Sequence, residues 1–281
     1  MATPTLSQRL VSLRRFNSTN KTIVDFMDYL IVAGGGSGAS GNSGNTGGGG
    51  GGAGGMRTTA NLAITGGTVY TITVGAGAAP VNAGLHGAVS ANGGDSVLSG
   101  SNISTITSLG GGSARTYSAT PTGSPTGGSG GGGVWHTITR GLGTSNQGSA
   151  GGAGTNGSTY GGGGGGAGAV GNNSPNGIGG AGIANSYSGS SVFYAGGGGA
   201  WNRAGGSGGG GTGYSTAGSA NTGGGGGGGG GGSVGYSGGS GIVIIRYSDV
   251  HSAAVTTGSP IYTVAGGFRI YKFTSSGTIT F

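Results

Sequence analysis

Two short apolar runs bracket almost all of the glycine in this chain. YLIVA at 29–33 stops at Gly34-Gly35-Gly36, and IVIIRY at 242–247 is entered through Gly241. Between them lie pure glycine runs at 47–52, 130–133, 161–166, 196–199, 208–211 and 223–232. A nearly continuous β-rich apolar run reads as a strand buried on both faces. The bracket therefore predicts two neighbouring strands that close one domain around the glycine. Composition narrows what the interior can be. Glycine supplies 83 of 281 residues, and side chains large enough for an ordinary core are missing over most of the middle. A helical domain is excluded, because glycine costs about 1 kcal/mol per helix position. Collagen is excluded, because glycine does not recur strictly every third residue and proline numbers only 6. Charge-driven disorder needs a high net charge, whereas charged residues are only 5% of this chain.

Three readings of the glycine compete. Gly/Ser chains behave as flexible coils when they link domains. Glycine-rich loops on a β framework are a second reading. The third is a bundle of extended, polyglycine-II-like helices, with three residues per turn and a rise of about 3.1 Å per residue. Amides in such a helix point outward and bond to neighbouring helices, and a Cβ would push the axes apart. The placement of the runs between apolar strands, and their interruption by aromatic residues, favour the third. The expected fold is mainly β with a glycine-rich core, in which short strands frame a bundle of polyglycine-II-like helices.

Outside the bracket the chain changes character. Residues 1–27 form a basic N-terminal arm or docking segment. Leu6, Leu10, Leu13 and Phe16 fall near helical spacing, and an amphipathic helix, an extended arm and a flexible tail all fit. Residues 28–247 form the glycine-rich domain, closed by strands 29–33 and 242–247. Within it, LAITGGTVYTITV at 62–74 reads as a hairpin turning at Gly66-Gly67. Residues 248–281 read as a C-terminal β-meander, IYTV-AGG-FRIYKF-TSSG-TITF. The net charge of +7 arises from 11 bases against 4 acids. The bases are scattered beyond the leader, unlike the clustered surface of a nucleic-acid binder, so no nucleic-acid partner is expected. No apolar run reaches 18 residues, so no membrane insertion by a helix is expected. The stretch MATPTLSQRLVSLRRF lacks the apolar centre of a signal peptide. Without cysteine there are no disulfides.

YLIVAGGG at 29–36, GGSGIVIIRY at 238–247 and AGGFRIYKFTSSGTITF at 265–281 resemble a glycine-rich module of bacteriophage structural proteins. That module occurs in tail fibres and tail-tip adhesins, and in some bacterial surface proteins. The resemblance spans roughly 29–281. In the family the FTSSGTITF hairpin usually precedes the opening strand; here it lies after the closing one. A relative of this type carries a sandwich of polyglycine helices whose distal loops select the host receptor. The resemblance implies a non-enzymatic virion structural protein located in the tail or on the external particle surface. Most directly it implies a tail-fibre or tail-tip component that attaches to the host cell through loops between glycine runs. The alternative is a capsid decoration or fibre adaptor protein with a purely structural role.

Catalytic signatures are weak. Glutamate is absent and the carboxylates are Asp25, Asp28, Asp95 and Asp249. His86, His136 and His251 show no metal-ligand spacing. No cofactor, metal site or enzymatic activity is expected. The receptor-binding candidates are Trp135, His136, Tyr160, Phe193, Trp201, Asn202 and Arg203, which lie between glycine runs. Aromatic and arginine side chains on rigid loops suit recognition, although the same residues also suit packing the ends of the bundle. Tyr194 is the better packing residue of the group. The docking candidates are Arg9, Leu10, Leu13, Arg14, Arg15 and Phe16, which would hold other virion proteins. The expected outer partner is a host surface glycan or outer-membrane protein. Symmetry stays open between a homo-oligomer and a monomer.

Overall fold

The bracketing runs pair with each other. In a computed structural model that describes residues 24–41, 46–80, 90–114, 126–134, 139–156 and 159–281, β1 (Phe26–Val32) lies antiparallel to β8 (Ile242–Ser248). Their register runs from Asp28 opposite Arg246 to Val32 opposite Ile242. Side chains of a strand alternate between its two faces, and here both faces are covered. Met27, Tyr29, Ile31, Val243, Ile245 and Tyr247 enter one buried cluster, whereas Leu30, Val32, Ile242 and Ile244 enter another. That is why the two runs carry no polar alternation.

Around this pair the described residues form an all-β fold with antiparallel sheets and no helix. β2 (Met56–Ala63) flanks β1, and the hairpin of β10 (Ile261–Ala265) and β11 (Phe268–Phe273) flanks β8. The first sheet is therefore ordered β10-β11-β8-β1-β2. A second sheet consists of β3 (Val69–Thr73), β4 (Ser96–Gly100), β5 (Ile103–Ser108), β9 (Val255–Thr256) and β12 (Gly277–Thr280), in the order β5-β4-β3-β12-β9. Tyr70, Ile72, Leu98 and Ile279 meet the first sheet in a shared core. The outer face of the first sheet is covered by Tyr194, Ala195 and Tyr187, near the small hairpin of β6 (Ile183–Asn185) and β7 (Val192–Tyr194). Each large apolar side chain buried in this sandwich contributes about 1.5–3 kcal/mol. No helix among the described residues is long and apolar enough to cross a membrane.

Two local expectations are corrected. Residues 62–74 are not a hairpin: β2 pairs with β1, whereas β3 pairs with β12 and β4 in the other sheet. Gly67 takes φ +78° as the turn requires, but the turn carries the chain across the core. A hairpin would have kept both apolar stripes in one sheet; crossing lets them bury against each other. Likewise the C-terminal stretch is not a continuous meander. β10 and β11 turn at Gly266-Gly267, with φ of +60° and +81°, but β12 inserts between β3 and β9.

The glycine segments continue the strands from one end of the sandwich. Residues 33–41 follow β1, 47–55 lead into β2, 109–114 follow β5 and 223–241 lead into β8. Most of their residues are buried, and their backbone groups bond largely to segments distant in sequence. From Gly34 to Ala39 the amides serve three neighbours in rotation, at 2.9–3.1 Å. Gly34 and Ser37 donate to Gly94 and Ala91; Gly35 and Gly38 to Gly239 and Tyr236; Gly36 and Ala39 to Gly52 and Gly49. Gly162–Ala167 repeats the pattern. Gly162 and Gly165 donate to Gly133 and Gly130, Gly163 and Gly166 to Asn172 and Ala169, Gly164 and Ala167 to Gly198 and Ala195. Such rotation satisfies backbone donors without side chains. It also demands close approach: a Cβ added at Gly164 would lie 1.9 Å from the carbonyl oxygen of Gly51.

Candidate functional site

The sandwich and the glycine lattice give the molecule two ends. Val24, Asp25, the 248–255 segment and Phe281 belong to the base, at the sandwich end opposite the one from which the lattice leaves. The far end is marked by Gly47, nine residues before β2. Extended chain rises about 3.1–3.4 Å per residue, so the far end stands roughly 30 Å from the sheets.

Four candidate residues meet at that far end. Trp201 follows the 195–200 segment, and its amide donates to Gly48 O at 3.1 Å. Its indole fills space that glycine leaves open. A Cβ added at Gly230 would lie 2.1 Å from indole Cδ1 and Nε1, and one at Gly47 would lie 2.6 Å from Trp201 Cβ. Tyr160 stacks on Trp201 with ring centroids 5.6 Å apart and an interplanar angle of 29°. The guanidinium carbon of Arg203 lies 4.2 Å from the Tyr160 ring centroid, a cation–π contact worth about 0.5–2 kcal/mol. Arg203 Nε is buried with no hydrogen-bond partner, so the ring face is its compensating contact. Asn202 is exposed at φ +53°, a left-handed conformation that asparagine tolerates. It makes the turn that brings Arg203 back toward Tyr160, closed by the Arg203 amide donating to Ala200 O at 2.9 Å.

The other candidates fall elsewhere. Phe193 lies on β7, 49% exposed, near the outer face of the first sheet, while its neighbour Tyr194 points inward and is 4% exposed. Burial raises the Tyr194 phenol above its ordinary pKa. Trp135 and His136 lie outside the described residues, as do Arg9, Leu10, Leu13, Arg14, Arg15 and Phe16.

Two features escaped the sequence reading. Tyr214 is 54% exposed at φ +65°. Its amide donates to Gly228 O, and the preceding Gly213 amide donates to Arg203 O, at 2.8 and 2.9 Å. It lies between glycine runs just as Trp201 does, so the same rule would have found it. The second feature is at the base. Arg246 Nε donates to Asp28 Oδ2 at 2.9 Å, and the Asn61 amide donates to Asp28 Oδ1 at 2.9 Å. The Arg246 guanidinium is held between the rings of Tyr187 and Phe268, at 4.0 and 4.1 Å. Beside it opens a cleft of about 260 Å³ that also includes Asp25, Phe26 and His251. Once β1 and β8 are paired, counting along the register puts Asp28 opposite Arg246. Nearby, burial and the Tyr271 hydroxyl push the Tyr247 phenol far above its usual pKa.

These features define a β-sandwich that carries a buried, backbone-bonded glycine extension with an aromatic and arginine cluster at its far end. A family model described as a glycine-rich domain matches residues 12–248, and the chain belongs to that family. No curated protein and no solved structure matches it.

Proposed function

We propose that this protein is a non-enzymatic virion component, a tail-fibre or tail-tip protein of a bacteriophage that binds the host cell surface. The observation that carries the reading is the placement of Tyr160, Trp201, Asn202 and Arg203 at the end opposite the sandwich. Recognition residues belong on rigid supports, and the lattice provides one about 30 Å long. The residues before β1 would hold other virion proteins, and the far end would face the host, on the outside of the particle. Within this reading the glycine segments are polyglycine-II-like helices. The three-residue rotation of hydrogen-bond partners supports that, because a helix with three residues per turn aims every third amide at the same neighbour.

A purely structural role, as capsid decoration or fibre adaptor, is the second reading. It is favoured by β10, an edge strand whose Ile261, Tyr262 and Val264 are 55%, 43% and 52% exposed. An uncovered apolar edge is a template for a neighbouring chain.

Binding of the purified protein to host cells separates the two. The expected outcome is saturable binding that drops at least tenfold in Trp201→Ala, with the unfolding transition retained. Absence of cell binding by the intact protein sinks the attachment reading, and gold-labelled protein on the particle shell rather than the tail establishes the second.

A further inference from the structure

The four carboxylate side chains of this chain are Asp25, Asp28, Asp95 and Asp249. None lies at the far end of the lattice. Asp25 and Asp28 lie at the start of β1, and Asp249 follows β8. Asp95 directly precedes β4 and accepts the Gly110 amide at 2.7 Å. Arg203 therefore stands at the far end with no acid to balance it. Its Nε is enclosed and its guanidinium lies over Tyr160. Arg140, which is exposed, adds a second positive charge on the lattice, where the Gly141 amide donates to Gly131 O at 2.8 Å. An unbalanced positive end draws a negative partner and raises its rate of encounter.

We propose that Tyr160, Trp201 and Arg203 form a binding site for a carboxylate-bearing saccharide; this rests on the surface-binding reading and names its ligand. A guanidinium recognises a carboxylate through paired N–H donors. The half-buried Tyr160–Trp201 stack holds the Arg203 guanidinium in place. The exposed Tyr214 ring, next to the Gly213 amide that donates to Arg203 O, offers a flat apolar face of the kind that covers the C–H side of a sugar ring. Asn202, exposed in the turn, supplies an amide donor and acceptor for hydroxyl groups. The stack is pre-organised, because the Gly47 and Gly230 backbones confine the indole, and pre-organisation lowers the cost of binding. A single-stranded nucleic acid also stacks on aromatic rings, but it needs a positive groove that follows its backbone. Among the described residues, Arg140 and Arg203 are two separated arginines and do not make that groove.

Calorimetric titration of the full chain tests the proposal, with three carboxylate sugars as probes: a hyaluronan tetrasaccharide, a trigalacturonate and sialyllactose. Maltotetraose is the neutral control and a ten-residue oligothymidylate the nucleic-acid control. At least one acidic sugar is expected to bind at least tenfold more tightly than maltotetraose. Arg203→Gln is expected to remove that advantage in a protein that still unfolds in one cooperative transition, its melting temperature lowered only by the lost cation–π contact. Tyr214→Ala, a surface change, is expected to weaken the acidic sugar severalfold. Equal affinity for acidic and neutral sugars, an unaltered preference in both variants, or tighter binding of the oligothymidylate overturns the proposal. If no sugar binds while the protein still attaches to cells, the ligand class is wrong and the attachment reading survives. If an acidic sugar binds but cells are not bound, the site stands and the attachment reading falls.

Discussion

In the sandwich, Leu30 and Ile244 are completely buried and meet other side chains. In the lattice, Gly51 and Gly164 are just as buried and meet only backbone. The same degree of burial is reached through different interactions. Apolar area removed from water stabilises the sandwich at about 25 cal/mol per Å². The lattice has almost no such area. Its stability depends on pairing backbone amides with acceptors, mostly carbonyls, each bond contributing about 0.5–1.5 kcal/mol net, against the large conformational entropy that glycine loses. The two regions should therefore fail differently. A sandwich tolerates a lost methyl group better than the lattice tolerates an added one.

The largest expected effect tests that directly. Gly164→Val places its Cβ 1.9 Å from Gly51 O against backbone with no rotamer to adjust. Its cost is expected to exceed about 3 kcal/mol, the upper end of ordinary overpacking, and to remove soluble folded protein at 37 °C. Ile244→Ala, in the sandwich, is expected to cost about 2–5 kcal/mol and leave a folded protein that denaturant titration can measure. If the glycine variant proves the milder of the two, the lattice is soft and the contrast fails.

The smallest effect sharpens the comparison through titration. Tyr247 is buried with its hydroxyl near that of Tyr271, 3.2 Å away, and its pKa is raised in the folded state. The folded state therefore holds this proton more firmly than the unfolded chain. Its stabilising contribution is complete below the unfolded pKa of about 10 and declines as pH rises beyond it. Melting temperature is expected to fall above about pH 10, and Tyr247→Phe should flatten part of that decline. An identical slope in the variant would place the alkaline sensitivity outside the sandwich core.

Much of the sandwich was legible because strand period and turn chemistry are local. YLIVA and IVIIRY lacked polar alternation, and both are covered on two faces. Gly266-Gly267 marked the β10–β11 turn. The segment 62–74 misled for the same reason: Gly66-Gly67 permits a reversal, but only the facing sheet decides whether the strand that follows returns beside its predecessor. At the far end, aromatic residues between glycine runs stood out, yet nothing local paired Tyr160 with Trp201 across forty residues of glycine-rich chain. Phe193 carried the same signal and lies on the sheet face instead.

The sequence by itself determined that the chain would be β-rich, that its bracketing strands would be buried on both faces, and that its interior would have to be built without side chains. Those conclusions need only composition and period. Tertiary structure alone decided which glycine segment lies beside which. A run of identical residues carries no pattern that distinguishes one register from another shifted by three. Register comes from what the runs are attached to: strands at the base, and the few side chains that fit between them. Ala39, Ala114 and Val134 cluster inside the lattice, and the Trp201 indole fills the gap beside Gly230. Through those anchors Tyr160, Trp201 and Arg203 meet at a single place.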